Sequence, residues 1–348
     1  MASETGRAGR PSRPATLKDV AARAGVSIGT ASKVLSGGYT VRPETKERVQ
    51  HAAEILRFSP NRLAQSLHYD RTGTVGLLTN HLDRGFPLPV LVGAEDTFGA
   101  DQVSVFLCDA HGDPLREEHH LRAMLGRRVD GLIVVGDSTK PRESLGRSLP
   151  MPVVYAYAPS DDPQDVSVTI DNVGAGHLAA EHLIDWGRRH IGYVSDDADL
   201  PATPDRVEGA AAALAAHGLT FAGGDALSGG WTEEWGRSGV RTLLTRDPRL
   251  DAVLCGSDRI ARGVLDALRD DGHDVPGEIA VMGHDNWEII ATQSRPPLTT
   301  IDLNLRELGR RAAQLLCRAI DGEELHGRQA IATRLVLRGS TAPASGRS

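Results

Sequence analysis

From Thr74 onward short apolar runs alternate with amphipathic stretches, and that alternation leaves few architectures open to the chain. TVGLLT, VSVFLCDA, DGLIVVG and PVVYAYA, followed later by HIGYVSDD, DAVLCGSD and IAVMGHDN, have strand length and read as buried strands. Between them, PLREEHHLRAMLGRR, AGHLAAEHLIDWG and PDRVEGAAAALAAHG have the apolar periodicity of amphipathic helices. Strand and helix in alternation imply parallel, doubly wound α/β sheets. The units are too many for one sheet, so two lobes are expected, roughly residues 74–171 and 172–301, with the chain recrossing near Leu298–Asn304. LTTIDLNLRELGRRAAQLLCRAIDG begins with that recrossing and becomes a helix, and AIATRLVLRGST is a last strand-like run.

Residues 16–59 follow another rule. Thr16 and Asp19 are spaced as a capping box, and Leu17, Val20, Ala21 and Ala24 share one helical face. Gly25 ends that helix and Ser27 is a good N-cap for a second, in which Ala31, Val34 and Leu35 face inward while Ile28, Gly29, Ser32 and Lys33 face out. Two short helices joined by a Gly-Val-Ser turn make a helix-turn-helix. A third helix, opened by Pro43 and carrying Val49, Ala52, Ala53 and Leu56, covers the pair. Charge divides the chain in the same place. The net charge of −7 alone would argue against a polyanionic partner, but residues 1–71 hold twelve Lys and Arg against six Asp and Glu, while the rest hold 27 against 40. A basic head on an acidic body confines any nucleic-acid contact to the head. Residues 1–15 read as a disordered basic tail, and residues 342–348 as a flexible one.

The segment TLKDVAARAGVSIGTASKVLSGGYTVRPETKERVQHAAEILRFSPNRLAQSL closely resembles the headpiece of the LacI/GalR family of bacterial transcription regulators, without a gap. The resemblance implies a DNA-binding headpiece at 16–59 whose second helix enters the major groove, and a hinge helix and linker at 60–71. Thr16, Ser27 and Ser32 would help position the helix on the DNA, the two serines on phosphates. Ile28 can touch a thymine methyl, and Lys33 can reach guanine or a phosphate. Asn61, Arg62 and Gln65 belong to the hinge, with Leu67 as the wedge that kinks the duplex at the minor groove. Lys33 stands where arginine is usual, so a bidentate fork is absent there. Gly29 offers no side chain at a position the family often uses to read a base, which leaves that task to Ile28 or Thr30, or leaves the position unread.

Residues 72–341 are similar to the family's two-lobed, periplasmic-binding-protein-like effector domain, most clearly in DGLIVVG, IDNVGAGHLAAEHLIDWGRRHIGYV, DAVLCGSDRIARGVLDALRDDG, IAVMGHDN and PPLTTIDLNLRELGRRA. Ligands of such folds sit between the lobes, outside the carboxyl ends of the strands. The resemblance assigns effector binding to Asp285 and Arg206, with Trp231 as a flat platform and Phe86 as an aromatic of the opposing lobe. Asp83 and Arg84 share the Phe86 loop. Tyr157 stands where several relatives carry aspartate, and Ser257, followed by Asp258, where asparagine is frequent. The implied protein is a homodimer that binds a near-palindromic operator and answers to a small molecule, first a sugar or sugar phosphate, with a nucleobase as the other class.

Other chemistry finds no support. No apolar run reaches membrane-span length and the basic N-terminus has no apolar signal core, so a cytoplasmic protein is expected. Cys108, Cys255 and Cys317 are too scattered for a disulfide framework or a CxxC metal site. His119 and His120 are adjacent and His177 and His182 are five apart, neither of which is the HExxH spacing. No GxGxxG follows the first strand, and no P-loop or GxSxG elbow occurs. Hence no enzyme, metal or cofactor is expected. A transport receptor would share the body but would not need residues 16–68.

Overall fold

The computed structural model describes residues 15–35, 41–56, 58, 71–100 and 103–341. The chain divides at Thr72/Gly73 into two compact units. In the first, α1 (Leu17–Ala24), α2 (Ile28–Leu35) and α3 (Pro43–Ile55) form the expected three-helix unit. The Thr16 hydroxyl accepts from the Asp19 N–H at 3.4 Å, and the Asp19 carboxylate accepts from the Thr16 N–H at 2.8 Å. Gly25 leaves α1 with φ +66°, a left-handed conformation that costs a glycine nothing. The core is built almost wholly from small side chains: Val20, Ala21, Ala24, Ala31, Val34, Val49, Ala52 and Ala53.

The second unit holds two sheets. The first runs β10-β5-β4-β3-β1-β2 and comprises β1 (Thr74–Thr79), β2 (Ser104–Asp109), β3 (Gly131–Val135), β4 (Val153–Ala156), β5 (Val166–Ile170) and β10 (Gly327–Ile331), with every pairing parallel. The second runs β11-β9-β8-β7-β6 and comprises β6 (Ile191–Val194), β7 (Ala252–Cys255), β8 (Ala280–Asp285), β9 (Thr299–Asp302) and β11 (Arg334–Val336). Lobe 1 is flanked by α4 (Pro87–Ala100), α5 (Pro114–Gly126) and α11 (Leu305–Ile320); lobe 2 by α6 (Asn172–Asp185), α7 (Ala202–Ala216), α8 (Glu233–Arg246), α9 (Asp258–Asp270) and the short α10 (Glu288–Gln293).

Two details differ from the sequence reading. VSVFLCDA is not a buried strand: β2 is the edge of its sheet, and Leu107 is 42% exposed. AIATRLVLRGST is not one strand but two, in different lobes. Its first part pairs parallel with β5; Arg334–Val336 pairs antiparallel with β9, so the second sheet is mixed. An apolar run shows only that a segment can be buried; whether a neighbour covers its second face is decided by strand order.

The helices cross as closely as their backbones allow. Three pairs meet through reciprocal glycines: α4 and α11 at Gly93 and Gly309, α6 and α7 at Gly176 and Gly209, α8 and α9 at Gly236 and Gly263. A Cβ at Gly209 would stand 1.9 Å from the Val173 carbonyl oxygen, and one at Gly176 would stand 1.9 Å from that of Arg206. Any side chain must therefore force the helices apart. Gly209→Ala is expected to cost about 3 kcal/mol, the upper end for overpacking. Gly126→Ala, where a Cβ would meet nothing within 4 Å, should be close to neutral. Urea unfolding checks both; equal midpoints would mean that the crossing is not close in solution.

Candidate functional site

In the head, α2 presents Ile28, Gly29 and Lys33 outward, with Ser32 half-buried beside them. Positions i, i+1, i+4 and i+5 make one contiguous face. Ile28 is 50% exposed and joins no core. Ser27 and Thr16 have structural duties in the head. The Ser27 hydroxyl accepts from the Thr30 N–H at 3.1 Å and bonds the Thr30 hydroxyl at 2.9 Å, so it caps α2. The Thr16 hydroxyl donates to Asp19 at 2.6 Å. A Cβ on Gly29 would find only Ser27 Oγ, at 3.9 Å, so nothing inside the head requires glycine there. Asn61, Arg62, Gln65 and Leu67 lie outside the described residues.

In the second unit the carboxyl ends of the strands of both lobes converge on one cleft. Lobe 1 supplies Phe86 from the loop after β1 and Tyr157 just past β4; their rings stack 5.4 Å apart. Lobe 2 supplies Trp231, 6.3 Å from Phe86, and Trp287, 5.3 Å from Phe86 and edge-on to it. Four of the chain's fourteen aromatic residues thus meet in one place. The Arg259 guanidinium covers Trp231 at 4.3 Å. A further interlobe link is the Ala202 N–H, which donates to Thr139 Oγ1 at 3.3 Å. Asp83 is exposed in the 3-10 turn Leu82–Arg84, and the Arg84 side chain lies outside the described set.

Beneath the rings lies a charged floor. Arg206, 7% exposed, donates from Nη1 to the Gly256 carbonyl at 2.7 Å and stands 3.6 Å from Asp196. The Thr203 hydroxyl donates to the other oxygen of Asp196 and fixes that carboxylate. Arg206 Nε is buried with no acceptor among the described residues, a donor left for something else. Burial works against the guanidinium charge, but Asp196 and Asp285 outweigh it and raise the Arg206 pKa. Burial pushes the Asp285 carboxyl well above the usual range against the pull of Arg206, and Asp258 and Asp196 add to the rise. Burial and Arg206 together push His284 well below its ordinary value. Tyr157 (φ +72°), Asp285 (+102°) and Asn286 (+56°) all adopt left-handed backbone here. Such strain, of order 1–3 kcal/mol per residue, concentrates where side chains must be aimed.

Ser257 and Asp258 are placed differently from the other candidates. Both are fully buried: the Ser257 hydroxyl caps α9 by accepting from the Ile260 N–H at 3.2 Å, and Asp258 accepts from the Thr300 hydroxyl at 2.5 Å and the Trp287 N–H at 2.6 Å. Asp258 holds the loop after β8 from behind, while Ser257 serves the helix start. Sequence reasoning missed Asp196, Thr203, Trp287 and Arg259. Asp196 fell at the end of the strand-like run HIGYVSDD, and only the fold turns it onto Arg206. Trp287 carried a legible signal, being one of four tryptophans and two residues from Asp285.

Residues 16–61 match the model of the bacterial regulatory proteins, lacI family, and residues 180–341 match a periplasmic binding protein-like domain. Catabolite control protein A of Priestia megaterium is 32% identical over 310 residues, 88% of this chain and 93% of that one. The chain belongs to the lacI family. Among solved structures, this regulator resembles the transcriptional regulator CelR-cellobiose complex at 31% identity and TM-score 0.62, covering 95% of this chain and all of that one. It also resembles the lac repressor dimer bound to operator and the anti-inducer ONPF, at 25% identity and TM-score 0.72, covering 94% and 99%. The lacI-family chain described here is accordingly a DNA-binding transcriptional regulator under small-molecule control, with a helix-turn-helix head and a two-lobed α/β body. Among the described residues no helix is long and apolar enough to cross a membrane, and no group of three His, Cys, Asp or Glu is arranged to hold a metal ion.

Two outcomes follow from these placements. Burial pushes Asp258 up to about 7, against the hydrogen bonds from Thr300 and Trp287. An unfolded carboxyl titrates near about 4, so the folded state keeps an extra proton between those values. The stability this group adds is complete below about pH 4 and is lost as the pH rises to about 7. The wild-type melting temperature should therefore fall relative to Asp258→Asn between about pH 5 and about pH 8, and a constant gap would contradict the titration. Separately, Gly29→Ala should raise helix stability by up to about 1 kcal/mol, because an exposed glycine is replaced by the best helix former. If the backbone at Gly29 approaches DNA closely, the same change lowers operator affinity; gel-shift titration separates the two effects.

Proposed function

We propose that this chain is a cytoplasmic repressor that binds a near-palindromic operator as a homodimer and is controlled by a neutral sugar held between its lobes, a β-linked disaccharide such as cellobiose being the first candidate. The observation that carries the sugar reading is the set of rings Phe86, Tyr157 and Trp231, contributed by both lobes, above Arg206 and Asp285. The apolar faces of sugar rings pack on aromatic planes, and their hydroxyls can accept from the guanidinium and bond the carboxyl. Charge argues for a neutral ligand. Asp196 already pairs with the one buried guanidinium and Asp285 lies beside it, so a phosphate would have to compete with Asp196 for that charge. The CelR relative, solved with cellobiose, supports the same class.

In the head, Ile28 and Lys33 read base edges, and Leu67 of the hinge is the wedge at the minor groove. The effector acts by differential affinity for two lobe arrangements, only one of which suits the operator.

Thermal shift with cellobiose, paired with operator titration, tests this reading. At a hundred times its dissociation constant the sugar should add about 2.7 kcal/mol to the wild-type chain. Asp285→Ala should abolish that shift and leave operator binding intact. Lys33→Ala should weaken operator binding by about 1–3 kcal/mol and leave the sugar shift unchanged. An unchanged sugar isotherm in Asp285→Ala would move the effector out of this cleft.

A further inference from the structure

Trp287 belongs to neither lobe's apolar core, yet it is fixed from both sides. From lobe 2, its backbone N–H donates to Asp258 at 2.6 Å, and the other Asp258 oxygen is held by the Thr300 hydroxyl. Its indole N–H, which can only donate, lies near the Asp285 carboxyl and favours its charged form. From lobe 1, the ring rests on bare backbone. A Cβ at Gly85 would fall 2.1 Å from Trp287 Cη2 and 2.6 Å from Cζ3, so no other residue leaves room for the indole there. Gly85 also has φ +86°, a conformation open to glycine and costly for side chains. Phe86 meets the indole edge-to-face at 5.3 Å and is itself stacked on Tyr157. The loop carrying this seat is pinned to lobe 1 by the Leu82 N–H, which donates to Asp109 at 3.1 Å.

We propose that Trp287 is an interlobe clasp. Its indole, seated on Gly85 and braced by Phe86, fastens lobe 2 to lobe 1 across the cleft, and an effector enters by displacing it. With Phe86 and the indole in edge contact, no sugar ring fits between them; ligand and clasp compete for the same aromatic surface. Displacement, unlike the clasp itself, rests on the sugar reading above. Trp287 is thus a specificity-determining residue. A ligand binds productively when its own packing on Phe86 replaces what the indole gives up, which a single small polyol does less well than a ligand presenting a broad apolar face.

Hydrogen–deuterium exchange on the full chain, with Trp287→Ala and Gly85→Ala compared against wild type, tests the clasp. Gly85→Ala leaves the lobe 2 anchors of Trp287 in place and puts a methyl group in the indole's seat. Amides of residues 82–86 should exchange at least about fivefold faster in both variants, while strands β3 and β7 stay protected. If one variant loses that core protection, the other decides. Unchanged exchange at 82–86 overturns the clasp. For displacement the probe is cellobiose, which should bind Trp287→Ala about threefold to tenfold more tightly than wild type, since nothing must be lifted. Weaker binding would make the indole a platform and overturn the competition. Should cellobiose bind neither chain, the sugar reading fails, and exchange still decides the clasp.

Discussion

Arg206 is charged and buried, and much of lobe 2 is arranged around that fact. An uncompensated charge in this position would cost several kcal/mol, so each neighbour answers it. The Gly256 carbonyl takes one N–H, Asp196 supplies the opposing charge, and Thr203 on the same helix keeps Asp196 from turning away. The placement of Arg206 in turn depends on helix packing. Its carbonyl oxygen is the atom against which Gly176 presses, and Gly209, less than one turn later, presses back on Val173. A looser crossing would move the guanidinium outward and lengthen its contacts with the ends of β6 and β7. One reciprocal glycine pair thereby ties the geometry of a helix crossing to the chemistry of the cleft floor.

The same device recurs where no charge is involved, at α4 with α11 and at α8 with α9. Close crossings make each lobe a stiff body, and the connections between the lobes are few. The chain passes between them after β5, between β9 and α11, and between β10 and β11. Stiff bodies on short connections have few ways to move except against each other, which is what a receptor that reports ligand by lobe arrangement requires.

Legibility in the sequence followed the range of the interactions involved. Local devices could be read directly: the capping box at Thr16, the left-handed Gly25, the Ser27 cap and the inward faces of α1 to α3 are set by residues within a turn of each other. Strand and helix alternation gave the doubly wound lobes. The failures were all long-range. Edge position made β2 half-exposed, and a lobe change within a few residues split the last strand. Asp196 and Arg206 are ten positions apart on different elements, and nothing in their spacing couples them. Gly85 and Trp287 are separated by some two hundred residues, so the fit of a ring onto a missing side chain cannot be seen before the fold is known. Resemblance to the family aimed attention at Ser257 and Asp258, whose burial is a property of this chain's own packing behind β8.

Magnitudes decide whether such a cleft can act as a switch. Coupling between effector and operator typically amounts to about 1–3 kcal/mol. Aromatic pairs of the kind made by Trp287 and Phe86 contribute about 0.5–1.5 kcal/mol beyond the area they bury. The clasp and the required bias are therefore of the same order. Were the lobes joined by a full apolar core, a sugar could not displace it; were they joined only by the long Ala202–Thr139 hydrogen bond, the closed arrangement would not persist without a ligand. A single indole on a glycine seat lies between these extremes. Trp287 follows Asp285 by two residues, so under the proposed function contact with ligand and release of the clasp are made within one turn.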